Sequence, residues 1–344
     1  MTIKIGGSNK RIGLALSGGG FRAAAFHLGV MRKLQALGLL DRLDLFSCVS
    51  GGSIAGAFVA ANWRKPDKLA ASYDRDLFHD ATLKDLADGP RLYLNSTNLA
   101  TGNMFFFVTG GGLPSEMGEH ELGVVPAPDF KVSRAVAASS AFPPVFPPLR
   151  LDAQTYPHAT SVEYVTLTDG GVYDNMGLEP AWKTHAVVLV SDGGTPFRIL
   201  DRVRTWIVPR LLRSFQVVAN QALAVRKRWL IAAYLRAVYR GAYWGLGTDR
   251  DEYQAPGAAR PLGYSGPVLD RLRVVRTDLD RFLPGEQAVL INHGWALAGA
   301  AMNRWAADLI APSVPERPPD PSLLDPDAAL AALAQSDRFR LLGH

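Results

Sequence analysis

Cysteine is nearly absent from this sequence of 344 residues, which contains Cys48 alone. A single thiol cannot form an intrachain disulfide, which excludes a disulfide-stapled secreted scaffold and a cysteine-rich metal site. Long apolar runs are also missing. No stretch reaches the roughly 20 apolar residues that cross a bilayer, and the first residues lack the apolar core of a signal peptide. We therefore expect a cytoplasmic protein that can also lie at a membrane surface.

The composition is that of a folded protein, with 48% hydrophobic and 20% charged residues. The length allows one large domain or two modest ones. Charge is unevenly placed, however. Between Arg198 and Arg240 there are ten basic residues and one acidic residue, Asp201, so this segment carries +9 while the whole chain carries +5. The local basic segment is therefore more informative than the overall charge.

Two strand–turn–helix units follow each other near the start of the chain. A wholly apolar run, Ile12–Leu16, is typical of a buried parallel strand and leads into a glycine-rich turn and a helical pattern. The same order recurs as a strand over Leu43–Val49, a turn at 50–52 and a helix over 53–62. Such repetition predicts an α/β domain with a parallel sheet.

Later segments are less regular. The patterns predict strands at 163–168 and 186–190, long amphipathic helices over 198–240 broken near Pro209, a loop over 241–268, and a final helix over 286–309. We expect four regions: a catalytic core (8–195), a basic amphipathic helical region and loop (196–260), a strand and helix packing on the core (261–310), and a proline-rich linker with a short terminal helix (311–344).

Ser50 lies between a predicted strand and a predicted helix, in Cys48-Val49-Ser50-Gly51-Gly52. This is the layout of a nucleophile elbow, a strained turn that projects the serine hydroxyl above the sheet. The turn requires small residues two positions before and after the serine. Gly52 meets this requirement, and Cys48 stands where the usual form has glycine. The alternative is an ordinary glycine-rich loop with a capping serine.

The turn Gly18-Gly19-Gly20 with Arg22 is a candidate oxyanion hole. Backbone amides at a helix N-terminus stabilise the negative charge of acyl transfer, and Arg22 could add positive charge or brace the loop. An alternative is a dinucleotide-binding turn, because Gly18, Gly20 and Ala23 also fit that fingerprint. Its acidic partner would be Asp41 or Asp44.

Asp169 is a candidate general base for Ser50. It ends an apolar run and precedes two glycines, and a desolvated carboxylate can accept a serine proton without histidine. Asp192 lies in nearly the same setting and competes with it, and Asp174 is a weaker competitor. Alternatively, Asp169 caps a loop.

His293 offers a third arrangement, because the order Ser50, Asp169, His293 matches the triad order of α/β-hydrolases. Only 49 residues precede the elbow, which is short for that fold. The alternative for His293 is an ordinary residue on a helix face.

Taken together, these motifs resemble the patatin-like phospholipases. The oxyanion motif is Gly18 to Arg22, the nucleophile motif is Cys48 to Gly52 with its first glycine replaced, and Asp169-Gly170-Gly171 is followed by Asn175. The blocks 96–102 and 138–148 are also similar to family signatures. The resemblance covers residues 11–177.

This resemblance implies a three-layer α/β/α fold with a mostly parallel central sheet, to which the sequence adds an α-helical C-terminal region. It implies a Ser50–Asp169 dyad that hydrolyses fatty-acyl esters, of the phospholipase A or lysophospholipase type, without metal or cofactor. It favours Asp169 over Asp192 as the base. An NAD(P)-binding oxidoreductase, a Ser-Asp-His esterase and a catalytically silent lipid-binding module are the alternatives.

The basic segment 198–240 alternates apolar and cationic residues. A basic amphipathic helix of this kind can lie on an anionic membrane, so we expect peripheral contact through it, along with a phospholipid or other acyl-ester substrate. The alternative is a helical cap packed on the core. Nucleic acid is not an expected partner, since no recognised module accompanies the charge. The sequence does not determine the oligomeric state.

Overall fold

The computed structural model describes residues 11–63, 77–78, 80–159, 162–257, 259–277, 282–311 and 317–334. Its described strands form one sheet of ten. They are β1 (Ile12–Leu16), β2 (Leu43–Val49), β3 (Arg91–Asn98), β4 (Met104–Thr109), β5 (Glu116–Glu119), β6 (Gly123–Pro126), β7 (Leu149–Asp152), β8 (Tyr164–Asp169), β9 (Val187–Asp192) and β10 (Arg240–Gly245). The main order is β10-β9-β1-β2-β3-β4-β5-β6.

The centre of the sheet is parallel. Strands β10, β9, β1, β2 and β3 all run the same way, and β1 and β9 are buried along their whole length, as expected of strands covered on both faces. Leu16 pairs with both Cys48 and Ser191, so β1, β2 and β9 end at the same edge. The sequence motifs that follow these strands are therefore brought to one edge.

The other side of the sheet is antiparallel, which the sequence patterns did not predict. Strands β4, β5 and β6 continue from β3 as a meander. Strands β7 and β8 form an antiparallel pair, and β8 also pairs with the end of β3. Strand β4 pairs with one edge of β3. Strands β2 and β8 therefore share the other edge, one after the other along β3. Asn95 pairs with Val49 of β2, and the next residue, Ser96, pairs with Asp169 of β8.

Helices cover both faces of the sheet. They are α1 (Gly20–Ala36), α2 (Gly51–Ala61), α3 (Val132–Ser139), α4 (Gly171–Asp174), α5 (Leu178–Thr184), α6 (Ile207–Leu235), α7 (Gly266–Val274), α8 (Pro284–Trp305) and α9 (Pro326–Ala334). Helices α1, α2, α3 and α8 share the larger hydrophobic cluster with one face, while α5 and the end of α6 cover the other. The predicted three-layer α/β/α fold and its helical C-terminal region are confirmed.

Three details differ from the sequence expectations. Pro209 does not break a helix. It lies in the first turn of α6, where backbone amides have no acceptor within the helix, so proline removes no hydrogen bond there. The helix continues to Leu235. The segment predicted as loop contains β10, which pairs with β9. The described residues of 261–310 contain helices and no strand. Parts of the predicted first and last regions, 8–10, 312–316 and 335–344, lie outside the described residues.

Candidate active site

Ser50 occupies a strained turn between β2 and α2. Its φ of 50° and ψ of −117° are unfavourable for a residue with a side chain, as expected of a nucleophile elbow. The two glycines that follow Ser50 pack directly against backbone atoms of β1 and the glycine turn. A methyl group on Gly51 would come within 2.1 Å of the Gly20 carbonyl oxygen, and one on Gly52 within 2.3 Å of the Leu16 oxygen. The turn therefore requires both glycines.

Cys48, the departure from the usual elbow, is fully buried beneath this turn. Space for its sulfur comes from α2, because a methyl group on Gly56 would lie 2.4 Å from Cys48 Sγ. Burial raises the pKa of the Cys48 thiol well above its ordinary value. A thiol in this environment stays protonated and unreactive, so its role is to fill space.

Ser139 holds the elbow from below, and sequence reasoning missed it. Its hydroxyl accepts a hydrogen bond from the Ser50 amide (3.0 Å) and donates one to the Asn95 carbonyl (2.5 Å). The hydroxyl of Ser53 lies 2.8 Å from the same oxygen. The only sequence signal was membership of the block 138–148. The bonds themselves join residues 44 to 89 positions apart and could not be read from it.

Asp169 reaches the elbow from the opposite direction to β2. The register of β3 places Ser96 beside Asp169, one residue beyond the last residue paired with β2. The Ser50 hydroxyl interacts with the Asp169 carboxylate and lowers its pKa, and Oδ1 of that carboxylate accepts from the Gly171 amide at 2.7 Å. The backbone of Asp169 is fixed by Thr97 Oγ1, which donates to its carbonyl at 2.9 Å.

The surroundings of Asp169 make its carboxylate a stronger base. Burial raises the pKa of Asp169 to about 6, and the hydrogen bonds from Gly171 and Ser50 offset only part of that rise. The side chain is 3% exposed, so little water competes for its oxygens. A carboxylate with this pKa is ionised near neutral pH and still basic enough to accept a proton from a serine hydroxyl in a reaction.

The glycine turn after β1 lies against Ser50. A methyl group on Gly18 would be 3.2 Å from Ser50 Cβ and 2.4 Å from Asn175 Oδ1. The Gly18 amide donates to the Asn175 carbonyl at 2.9 Å, while Gly19 and Gly20 have φ values of 142° and 61°. Among the residues that the structure describes, the amides of Gly19 and Gly20 have no acceptor. Two amides without a described acceptor therefore lie in the turn that contacts the elbow, at the start of α1.

Two roles were considered for Arg22, adding positive charge at the oxyanion hole and bracing the loop, and its contacts support bracing. The guanidinium is fully buried, and it donates to the carbonyls of Val275 (3.0 Å) and Gly193 (2.9 Å) and to Thr195 Oγ1 (2.9 Å). Burial lowers the pKa of Arg22 to about 10, although the nearby Asp192 carboxylate opposes this shift. Arg22 thus ties the start of α1 to the loop after β9.

The two competing aspartates have other partners. Asp192 Oδ1 accepts from the Gly194 amide (2.9 Å), and its Oδ2 accepts from the Tyr243 hydroxyl (2.8 Å). Asp174 accepts from the amide of Leu178 at 2.8 Å, at the start of α5. Neither carboxylate has a described interaction with Ser50.

His293 lies in the core between α1 and α8. Its Nε2 is 2.8 Å from the Leu246 carbonyl oxygen, and its ring packs against Phe26 and Tyr264. Burial lowers the pKa of His293 to about 4, so the ring is neutral. None of its described contacts involves Ser50 or Asp169, and this geometry gives no support to a triad.

The dinucleotide interpretation also lacks support. Asp44 Oδ2 accepts from the Ile12 amide at 2.7 Å, which places this acid at the start of β1, and Asp41 precedes it in the turn before β2. The glycine turn lies at the other end of β1. An acid that contacts a ribose must lie at the same edge as the glycines, so neither residue can serve.

The sequence patterns also did not single out His27, a second buried polar residue that packs beneath the site. His27 is fully buried, with Nε2 2.9 Å from the Ser17 carbonyl and Nδ1 2.8 Å from Ser191 Oγ. Burial lowers the pKa of His27 to about 4. A neutral ring therefore joins the ends of β1 and β9 below the glycine turn.

Within the described ranges, no cluster of three histidine, cysteine, aspartate or glutamate side chains could hold a metal ion. The helices in those ranges include none that is long and apolar enough to cross a membrane.

Comparison with known families identifies the domain that contains these residues. The model of the family described as patatin-like phospholipase matches residues 14–118 and 75–182, a span that includes the glycine turn, the elbow and Asp169. The chain contains a patatin-like phospholipase domain. No protein with a curated description matches the sequence.

Solved structures similar to this patatin-like chain include two of human GIVD cytosolic phospholipase A2. One, in complex with methyl gamma-linolenyl fluorophosphonate, is 12% identical with a TM-score of 0.47, over 96% of this chain and 60% of that one. The other is 13% identical with a TM-score of 0.46, over 94% of this chain and 60% of that one. The patatin-like chain thus spans about three fifths of their length.

Proposed function

We propose that this protein is a lipid acyl hydrolase of the phospholipase A or lysophospholipase type, a serine ester hydrolase that uses Ser50 and Asp169. The observation that carries the proposal is a buried serine in a strained turn, whose hydroxyl interacts with a carboxylate whose pKa is raised to about 6. A nucleophile in contact with a base is the arrangement that acyl transfer requires.

In the proposed reaction, Ser50 Oγ attacks the ester carbonyl while Asp169 accepts the hydroxyl proton. Collapse of the tetrahedral intermediate breaks the bond to the alcohol, which leaves with the proton from Asp169, and the acyl group stays on Ser50. Asp169 then takes a proton from water, whose oxygen attacks the acyl-serine. The fatty acid leaves, and Ser50 recovers its proton.

The amides of Gly19 and Gly20 are the proposed donors to the oxyanion. They lie beside Ser50 and have no other described acceptor, whereas the Gly18 amide is already bonded to Asn175. Removal of one such donor typically costs about 10²–10³-fold in rate. Gly18 lets the backbone approach Ser50, and Arg22 holds the turn against the loop after β9.

The lipid substrate rests on the family match, and a peripheral location on anionic membranes is proposed with it. The segment 198–240 supplies the basic and apolar side chains for such contact.

Labelling with a fluorophosphonate probe and peptide mapping tests the proposal. We expect the label on Ser50, and we expect Ser50→Ala to lose both labelling and fatty-acid release from phosphatidylcholine vesicles. Ser53→Ala is the matched control, because Ser53 is also buried and lies near Ser50, where its hydroxyl bonds to Ser139. Labelling that survives in Ser50→Ala, or hydrolysis at the wild-type rate, would refute the assignment.

A further inference from the structure

Helix α6 extends beyond the sheet on the side of the catalytic edge. Near its end, the Tyr234 hydroxyl donates to the Val188 carbonyl at the start of β9. Two helical turns earlier, Arg226 lies 3.7 Å from Asp174, which follows β8 in the chain. The next residue, Lys227, lies over the Tyr243 ring of β10. The helix therefore runs opposite to β9. The 20 residues before Lys227 continue past the catalytic edge for about 30 Å at 1.5 Å per residue.

This projecting part of α6, residues 207–222, has no buried side chain. In the whole helix only Leu230 and Ala233 are buried, and both lie in the part that packs on the sheet. The projecting part nevertheless has a one-sided apolar surface. At 100° per residue, six exposed side chains fall within an arc of about 140°; they are Ile207, Val208, Leu211, Leu212, Phe215 and Val218.

Apart from Pro209, Val217 and two alanines, the residues on the remaining sides of the projecting part are polar or basic. Arg210 and Arg213 lie outside the apolar arc, as do Gln216 and Asn220. The segment that leads into the helix adds Arg198, Arg202 and Arg204, while Asp201 is the only acid between 198 and 222. An apolar face flanked by arginines is the pattern of a helix that lies in the surface of an anionic bilayer.

A second exposed apolar group lies on the other side of the site. Phe142, Val145 and Phe146 are 52%, 68% and 41% exposed in the loop after α3. This loop adjoins the candidate base, because the Asp169 amide donates to the Ala141 carbonyl at 3.1 Å. Ser50 therefore lies between two exposed apolar groups, one on the β9 side and one on the β8 side.

We propose that the apolar face of α6 residues 207–222, together with Phe142, Val145 and Phe146, docks the protein on an anionic lipid bilayer with the catalytic edge turned toward the membrane. This inference rests on the proposed function only for the use of lipid at that edge. The docking surface itself follows from exposure, helical phase and charge.

Charge decides between a bilayer and a second copy of the chain. Pairing of this face with itself would bring together two segments that each carry five arginines and one aspartate over 198–222, and these would repel. Anionic headgroups instead attract each arginine by about 1 kcal/mol. The same charge that opposes self-association therefore favours the membrane.

The test measures sedimentation of the full chain with vesicles of phosphatidylcholine alone and of phosphatidylcholine mixed with phosphatidylglycerol. We expect binding to the mixed vesicles and much weaker binding to the neutral ones. The variant Leu211→Ser/Phe215→Ser should bind at least roughly tenfold more weakly, because both side chains lose apolar burial. Arg204→Gln/Arg210→Gln should lose roughly 30-fold, the equivalent of about 1 kcal/mol per arginine.

Val217→Ser is the matched control. Val217 is 39% exposed and Phe215 is 43% exposed, but Val217 lies on the opposite side of the helix from the apolar arc. We expect the control to bind like the wild type. Equal binding by Leu211→Ser/Phe215→Ser, or an equal loss in Val217→Ser, would overturn the proposal.

Two further readouts separate the possible failures. Hydrolysis of p-nitrophenyl butyrate, a soluble ester, should be unchanged in all three variants, which shows that they fold. If the wild type binds vesicles but hydrolyses no ester, the proposed function fails and docking stands. Light scattering tests for a second copy, and a dimer that Leu211→Ser/Phe215→Ser abolishes would assign the face to self-association and overturn the membrane proposal.

Discussion

The ends of β8 and β9 are nearly identical in sequence but differ in what their aspartates contact. Asp169 and Asp192 each end a strand whose last three residues are buried, and each precedes two glycines. Each accepts a hydrogen bond on Oδ1 from the amide two residues later, at 2.7 Å and 2.9 Å. The Ser50 hydroxyl interacts with the Asp169 carboxylate and lowers its pKa, whereas the Tyr243 hydroxyl donates to Asp192 Oδ2.

Neighbouring strands produce this difference. Strand β8 is antiparallel to β3 and meets β2 end to end on one edge, so Asp169 faces the elbow. Strand β9 lies between β1 and β10, and β10 brings Tyr243 to Asp192. The same local motif therefore places one carboxylate beside Ser50 and bonds the other to a tyrosine hydroxyl, according to strand topology.

The largest expected difference between the two aspartates is in activity. Asp169→Asn should lower the rate of ester hydrolysis by about 10³–10⁴-fold, because an amide cannot accept the Ser50 proton. Asp192→Asn should stay within about tenfold of the wild type. Initial rates on p-nitrophenyl butyrate measure both, with circular dichroism as the control for folding. An equal loss of activity in the two variants would show that Asp169 and Asp192 do not differ in function.

The first glycine after Asp169 and the second glycine after Asp192 should differ in how much an added methyl group destabilises the fold. A methyl group on Gly170 would come within 2.3 Å of the Asn95 backbone oxygen, which cannot move without displacing β3. One on Gly194 would come within 2.8 Å of the Asp192 side chain. Gly170→Ala should therefore lower the free energy of unfolding by about 2–4 kcal/mol and Gly194→Ala by about 1 kcal/mol. Urea denaturation decides the order.

The pH dependence of hydrolysis should follow Asp169 alone. The base must be ionised, and the pKa of Asp169 is raised to about 6. The rate should therefore be constant above pH 7 and fall about tenfold per pH unit below 6. Asp192→Asn should leave this profile in place. A profile that keeps its full rate down to pH 4, or that shifts in Asp192→Asn, would show that another group controls the reaction.

The smallest expected effect is that of Tyr243→Phe. This change removes the hydrogen bond to Asp192 Oδ2 and keeps the ring. We expect a loss of about 1 kcal/mol in the free energy of unfolding and no change in ester hydrolysis. Thermal denaturation measures the first and initial rates the second. A large loss of activity would connect Asp192 to the chemistry after all.

The parts of the fold that depend on local pattern could be predicted from the sequence. A continuous apolar run marked β1, a mostly apolar run marked β2, and glycine turns marked the places where a helix follows each strand. The antiparallel strands β4 to β7 were not predicted. Strand β10 was also missed because Gly241 and Gly245 gave it the composition of a loop, while its pairing with β9 is not visible in the sequence.

The residues of the candidate site also separate into those that local motifs reveal and those that depend on distant parts of the chain. Ser50 and the glycine turn could be found from local motifs, whereas the choice between Asp169 and Asp192 required the family pattern. Ser139 and Tyr243 were missed because their partners lie tens of residues away in the chain. The prediction of a break at Pro209 was wrong because the effect of proline depends on its position within the helix, and here it lies in the first turn.

The contact between Cys48 and Gly56 has a consequence for how the elbow can evolve. The sulfur of Cys48 fills the space in front of Gly56, where a methyl group would lie 2.4 Å away. The two positions therefore share one volume across β2 and α2. A glycine at 48 would leave room for a larger residue at 56, and a larger residue at 56 would require a glycine at 48. We expect the two sites to change together among homologues, with cysteine at one tied to glycine at the other.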